Sequence, residues 1–212
     1  METLQSSLSD NDDKEAASQV VTAARSRLNM LDAGVSIIEE SMMATEAFLK
    51  ARSGWNAVIN ADAAIREATA LAEEMSKENI LASQAKGNEA LAFLEEAQQD
   101  FSQAEAAYPS LDLAAFKAYV AKRIESQQAA LAADEAYLSR NKEELEAQNS
   151  RYNALEEEAA ALAQKLGEDD PEQIVALRFY EEIEADQGAY EAERLKAGNA
   201  DAFLREYLGT AS

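Results

Sequence analysis

Few residue types in this chain can do chemistry. Histidine and cysteine are both absent from its 212 residues. That removes imidazole bases, thiolate nucleophiles, His- or Cys-based metal sites and disulfides. What is left is carboxylate: 41 Asp and Glu against 19 Lys and Arg, a net charge of −22. Adjacent acids such as Glu39/Glu40, Glu73/Glu74 and Glu181/Glu182 are material for acid–base work. Neighbours on a helix point about 100° apart, however, so no such pair converges on one substrate. Neither a glycine-rich phosphate loop nor a G-x-S-x-G elbow occurs. The composition argues against an enzyme. It offers no catalytic residue and no metal set, and no cofactor is expected.

The densest acid cluster is KLGEDDPEQIV, residues 165–175. A calcium loop of the EF-hand type needs acids at alternate positions, a central glycine and a closing glutamate, and this layout is missing. The same residues suit a helix corner. Gly167 fits the position that ends one helix, Asp170 an N-cap, Pro171 the first helical position and Gln173 the third.

Two polar zones interrupt otherwise apolar helical faces. One is Gln127, Asp134, Asn141 and Gln148, alternating with a leucine seam; the other is Asn79, Lys86, Gly87 and Glu89. Folding both stretches back from a corner at Pro109 places Asp134 near Lys86, and Asn141 near Lys77 and Asn79. Asn79, Lys86, Gln127, Asp134 and Asn141 are therefore the candidate lining of a polar mid-bundle pocket for a small molecule. The competing reading is solvated or register-fixing positions. Trp55, Tyr180 and Tyr190 are the candidate partner-docking residues: a lone tryptophan at an expected corner, and two tyrosines in the acidic run YEEIEADQGAYEAE.

Helices must position all of these groups. Alanine, glutamate, leucine and glutamine dominate, and nothing alternates with period two. In the first stretch Val21, Ala24, Leu28, Leu31, Val35, Ile38, Met42, Thr45 and Leu49 keep a 3–4 spacing through Gly34, the pattern of a seam presented to a partner helix. A phase slip around Lys86-Gly87-Asn88 predicts a kink in the second stretch. The third, residues 110–166, has no Gly or Pro and reads as one helix. Helices are expected over about 12–53, 55–107, 110–166 and 171–197, with a short one over 200–208. The fold class expected is all-α: an elongated antiparallel, up-down-up-down bundle of three or four helices with coiled-coil-like packing. It forms a single domain over 12–208 behind a flexible acidic segment, residues 1–11.

A surface this acidic repels phosphate backbones, so no nucleic acid is expected as a partner. The absence of a long apolar run argues against direct membrane insertion. The start, METLQSSLSDNDDKEAAS, has neither a basic n-region nor an apolar h-region. A cytoplasmic location is thus the default, with an extracytoplasmic ectodomain the alternative if the native chain begins upstream of Met1. The function expected is a structural, scaffolding or protein-interaction bundle, its partner a basic protein or a second copy. The alternative is a ligand-binding or sensor bundle with a mid-bundle pocket.

Overall fold

A computed structural model describes residues 11–210, with side chains over 13–208. The acidic segment expected over 1–11 lies almost wholly outside the described residues. Five helices account for the rest: α1 (Asn11–Ala72), α2 (Lys77–Ala107), α3 (Ala114–Leu138), α4 (Lys142–Leu166) and α5 (Pro171–Thr210). The protein is all-α, with no strand among the described residues.

Several expected boundaries are corrected. Gly54-Trp55 is not a corner, because α1 runs through it to Ala72. Gly54 is buried instead, and a Cβ there would stand 3.0 Å from the Phe101 ring and 3.2 Å from the Ala97 carbonyl. The glycine serves close helix approach rather than chain reversal. The reversal comes later, where Met75 takes a positive φ of 44°. Ser76 then caps α2, its side chain accepting from the Asn79 backbone N–H.

The long third helix is likewise two. Arg140 adopts φ 60°, and Asn141 caps α4 by accepting from the Glu144 N–H. Glu143 and Glu144 complement the positive helix end. Gly198 breaks nothing, since α5 is continuous to Thr210. α1 passes through Gly34 as expected. The Gly167 corner also stands: Gly167 ends α4 at φ 61°, Pro171 opens α5, and the Glu172 N–H donates to the Asp170 carboxylate at 2.8 Å.

The described residues form two compact units: Met43–Arg178, and the residues up to Met42 together with those from Phe179 onward. In the first, consecutive helices run antiparallel. Lys50 meets Asp100 at 3.2 Å across α1 and α2. Ser83 meets Asp134 at 3.2 Å across α2 and α3, and Lys122 meets Glu158 at 3.1 Å across α3 and α4. The antiparallel neighbours are not the helices the sequence pattern predicts: residues 55–72 belong to α1, and residues 110–166 supply two helices, α3 and α4. Its core centres on Leu94, Phe101, Tyr108, Leu113, Phe116 and Val120, each essentially fully buried.

The α1 face turned to that core is small: Ala44, Ala47, Ala51, Gly54, Val58, Ala61 and Ala68 are buried. A face without long side chains lets the facing helices come close. Along α2 the buried row is Ile80, Ser83, Gly87, Ala90, Leu94, Ala97, Phe101 and Ala104. That row keeps 3–4 spacing throughout, so no phase slip exists; Ser83 and Gly87 fill core positions where the sequence pattern looked for large apolar residues.

The second unit is an antiparallel pair, the first part of α1 against the last part of α5. Arg27 holds Asp201 at 2.7 Å, and the Tyr207 hydroxyl bonds Asp13. The buried contacts are again small or single: Ala16, Ala23, Ser26, Ile183, Ala197 and Ala200.

Candidate functional site

Two features stand out, one in each unit. In the four-helix unit a cleft of about 170 Å³, open to solvent on one side, is lined by α1 (Ile65, Ala68, Thr69), α2 (Ser83), α3 (Gln127, Ala133, Asp134) and α4 (Asn149, Tyr152), with Thr69 and Asn149 at its exposed edge. Its polar groups are placed by the helical rows. Ser83 sits in the buried row of α2 and donates its hydroxyl to Asp134 at 3.2 Å. Burial lifts the Asp134 carboxyl above its ordinary value, and the Ser83 hydrogen bond opposes the rise. Burial also raises the Tyr152 phenol. Gln127 is 5% exposed, lines the cleft and makes no side-chain hydrogen bond among the described residues. It has room because position 87 is glycine: a Cβ there would fall 2.6 Å from the Gln127 side-chain nitrogen and 2.8 Å from Leu131.

Of the five residues expected to form the mid-bundle pocket, the structure brings Gln127 and Asp134 together here. The other three are elsewhere. Lys86 is partnered by Glu67 and Glu89, each at 2.9 Å, and hydrogen bonds to those two carboxylates push its ammonium up to about 12. Surface acids on α1 and α2 outcompete a half-buried Asp134 for it. Asn79 donates to Glu74 at 2.7 Å. Asn141 is spent on capping α4, and with Lys77 and Arg140 it borders a separate hollow of about 450 Å³ at the end of the unit. Ser83 and Tyr152 escaped the sequence reading, Ser83 because it holds a place in an apolar row and Tyr152 because it reads as one more seam residue.

The second feature is the α1 seam. Leu28, Leu31, Val35, Ile38 and Met42 are 60%, 66%, 52%, 61% and 69% exposed. The sequence pattern predicts a seam facing a partner helix, and within this unit α5 does not take that place. Ala23 and Ser26 face inward, and Leu28 lies about 200° further round the helix from Ser26. In the other unit Leu49, at the next matching position but one, is 60% exposed. Beside the stripe, at the position following each of Leu31 and Ile38, stand the exposed acids Asp32 and Glu39.

Of the docking residues expected, Trp55 sits inside α1 and packs edge-on against Phe116, ring centroids 5.6 Å apart. It closes core rather than presenting itself. Tyr180 is 65% exposed with its ring 5.6 Å from Phe179, and Tyr190 is half-buried. Among the described residues no group of three or more acids is placed to hold a metal ion, and no helix is long and apolar enough to cross a membrane. No protein-family model matches the chain, and searches of curated proteins and of solved structures return no match.

Proposed function

We propose that this protein is a non-enzymatic interaction module whose α1 stripe docks an amphipathic helix flanked by lysine or arginine. The observation that carries this reading is the exposure of Leu28, Leu31, Val35, Ile38 and Met42 at consecutive heptad spacing. A row of large aliphatic side chains held in water on an ordered helix is a surface for another helix: its 3.5-residue period fits knobs-into-holes packing.

Charge selects the occupant. Asp32 and Glu39 flank the row on one side, and Arg27 on the other side is already held by Asp201. A second copy would bring another net −22 to the contact, whereas a partner with basic flanks gains attraction at the same positions.

The test is fluorescence anisotropy with two labelled synthetic helices of identical Leu/Ile heptads, one with Lys and one with Glu at the flanking positions. The Lys helix binds, the Glu helix binds at least about tenfold more weakly, and Leu31→Glu with Ile38→Glu abolishes binding while circular dichroism stays helical. Equal binding of both helices, or binding by the double variant, sinks the reading.

A further inference from the structure

The cleft in the four-helix unit has a chemistry of its own, separate from the α1 stripe. Asp134 is the sole carboxylate on its walls, and no lysine or arginine lines it. The nearest cation on α2, Lys86, is bound to Glu67 and Glu89. Asp134 has Ser83 as its one hydrogen-bond donor, which leaves acceptor capacity on the carboxylate. Gln127, 5% exposed over the whole residue, lines the cleft and makes no side-chain hydrogen bond among the described residues. An amide without a protein partner at the wall of an open cleft is left to water or to a group that enters and displaces it.

The rest of the lining is mainly apolar, Ile65, Ala68, Ala72, Ala130 and Ala133 with the Tyr152 ring, and Thr69 and Asn149 stand at the open edge. At about 170 Å³ the cleft has room for a small organic group, with one side left to solvent. A carboxylate without a counter-ion, a free amide and a short apolar wall together define a complement: a cationic head on a small hydrocarbon body.

We propose that the four-helix unit binds a small primary ammonium compound in this cleft, with Asp134 as counter-ion and the Gln127 carbonyl as second acceptor. Gly87 supports the site from behind, since a Cβ there would displace the Gln127 amide from its present position. The ammonium places one N–H on the free Asp134 oxygen and another on Gln127, and its hydrocarbon part lies against Ile65 and Ala133.

The probes are benzylamine, its neutral counterpart benzyl alcohol, and n-butylamine, titrated into the full chain by calorimetry at pH 7 in about 150 mM salt. At this ionic strength binding to scattered surface acids is screened. Saturable one-to-one binding of benzylamine is expected, with benzyl alcohol at least about tenfold weaker. Asp134→Asn keeps the shape and the Ser83 acceptor; it is expected to weaken benzylamine at least about tenfold, whereas Glu143→Gln at the exposed start of α4 leaves it unchanged. In the unaltered protein the Gln127 side-chain amide resonances should move on adding the amine, a readout that needs no variant. Non-saturable uptake, equal loss in Asp134→Asn and Glu143→Gln, or Gln127 resonances that stay fixed at saturating amine would each overturn the proposal.

Discussion

Gly87 on α2 and Gln127 on α3 share one small volume: a Cβ on residue 87 would sit 2.6 Å from the Gln127 side-chain nitrogen. The glycine is therefore part of how a buried amide is accommodated, and its replacement has two opposed consequences. Alanine favours a helix over glycine by about 1 kcal/mol. Overfilling a packed site costs about 1–3 kcal/mol. Because the clash falls on the movable ends of Gln127 and Leu131, Gly87→Ala is expected to change stability by less than about 1 kcal/mol in urea unfolding, and to weaken amine binding more than that change explains.

Gly198→Ala should do the opposite. Nothing lies within 4 Å of a Cβ built there, and the residue is inside α5. A gain of about 0.5–1 kcal/mol follows from helix propensity and the restricted unfolded chain. Gly54→Ala, pressed against Phe101 and the Ala97 carbonyl, should instead lose about 1 kcal/mol or more, because backbone cannot move aside as a side-chain end can. Urea midpoints of the two variants shifting the same way would refute the assignment of Gly54 to close packing.

Asp134 gives stability a pH dependence with a definite sign. Its folded value lies above the ordinary carboxylate value because of burial, partly offset by Ser83. A group raised on folding contributes stability that is fully present below its unfolded value and is lost as pH rises through its folded value. The cleft around it holds Thr69, Ser83, Gln127, Asn149 and Tyr152 and no other charged group. Asp134→Asn should thus melt higher than the parent at pH 7, and the difference should close as pH falls into the range where Asp134 is protonated. A variant less stable at pH 7 would show that the ionised carboxylate is a net support.

The fold was more legible than the site. The all-α class and the reversal near Pro109 followed from helix-forming composition and 3–4 spacing. So did the Gly167–Pro171 corner, where a residue at positive φ and an N-cap coincide in sequence. The missed turns at Met75-Ser76 and Arg140-Asn141 contain no Gly or Pro. Their signal is a capping residue followed by acids, Ser76-Lys-Glu and Asn141-Lys-Glu-Glu, which weighs little against a long uninterrupted seam. The false corner at Gly54 and the false slip at Gly87 share one cause. Glycine was read as punctuation, and in both places it is a contact surface. The pocket was half legible: antiparallel register brought Asp134 to the level of α2, but only coordinates show that Lys86 prefers Glu67 and Glu89. The stripe was legible as a seam, while its outward direction depended on Ala23 and Ser26 being the residues α5 covers.

The net charge of −22 repels itself more in the folded state than in an expanded chain. Raising salt from about 10 mM to a few hundred mM contracts the Debye length from roughly 30 Å to under 10 Å. The melting temperature should rise by a few degrees, about 2–4 °C for each kcal/mol of repulsion screened. Calcium chloride at equal ionic strength should give the same curve. A calcium-specific gain would point to a cation site in an acid run such as Glu168–Asp170 and remove screening as the explanation.

The central claim, that the α1 stripe receives a basic-flanked helix, is tested most directly by the methyl resonances of two exposed methionines. Met42 ends the stripe at 69% exposure, and Met75 stands in the α1–α2 turn at 62%. With ¹³C-methyl methionine and the Lys-flanked synthetic helix added to saturation, the Met42 methyl signal should shift and broaden while Met75 stays in place. A Met42 signal unmoved at saturation, or one that moves no more than that of Met75, would contradict the account.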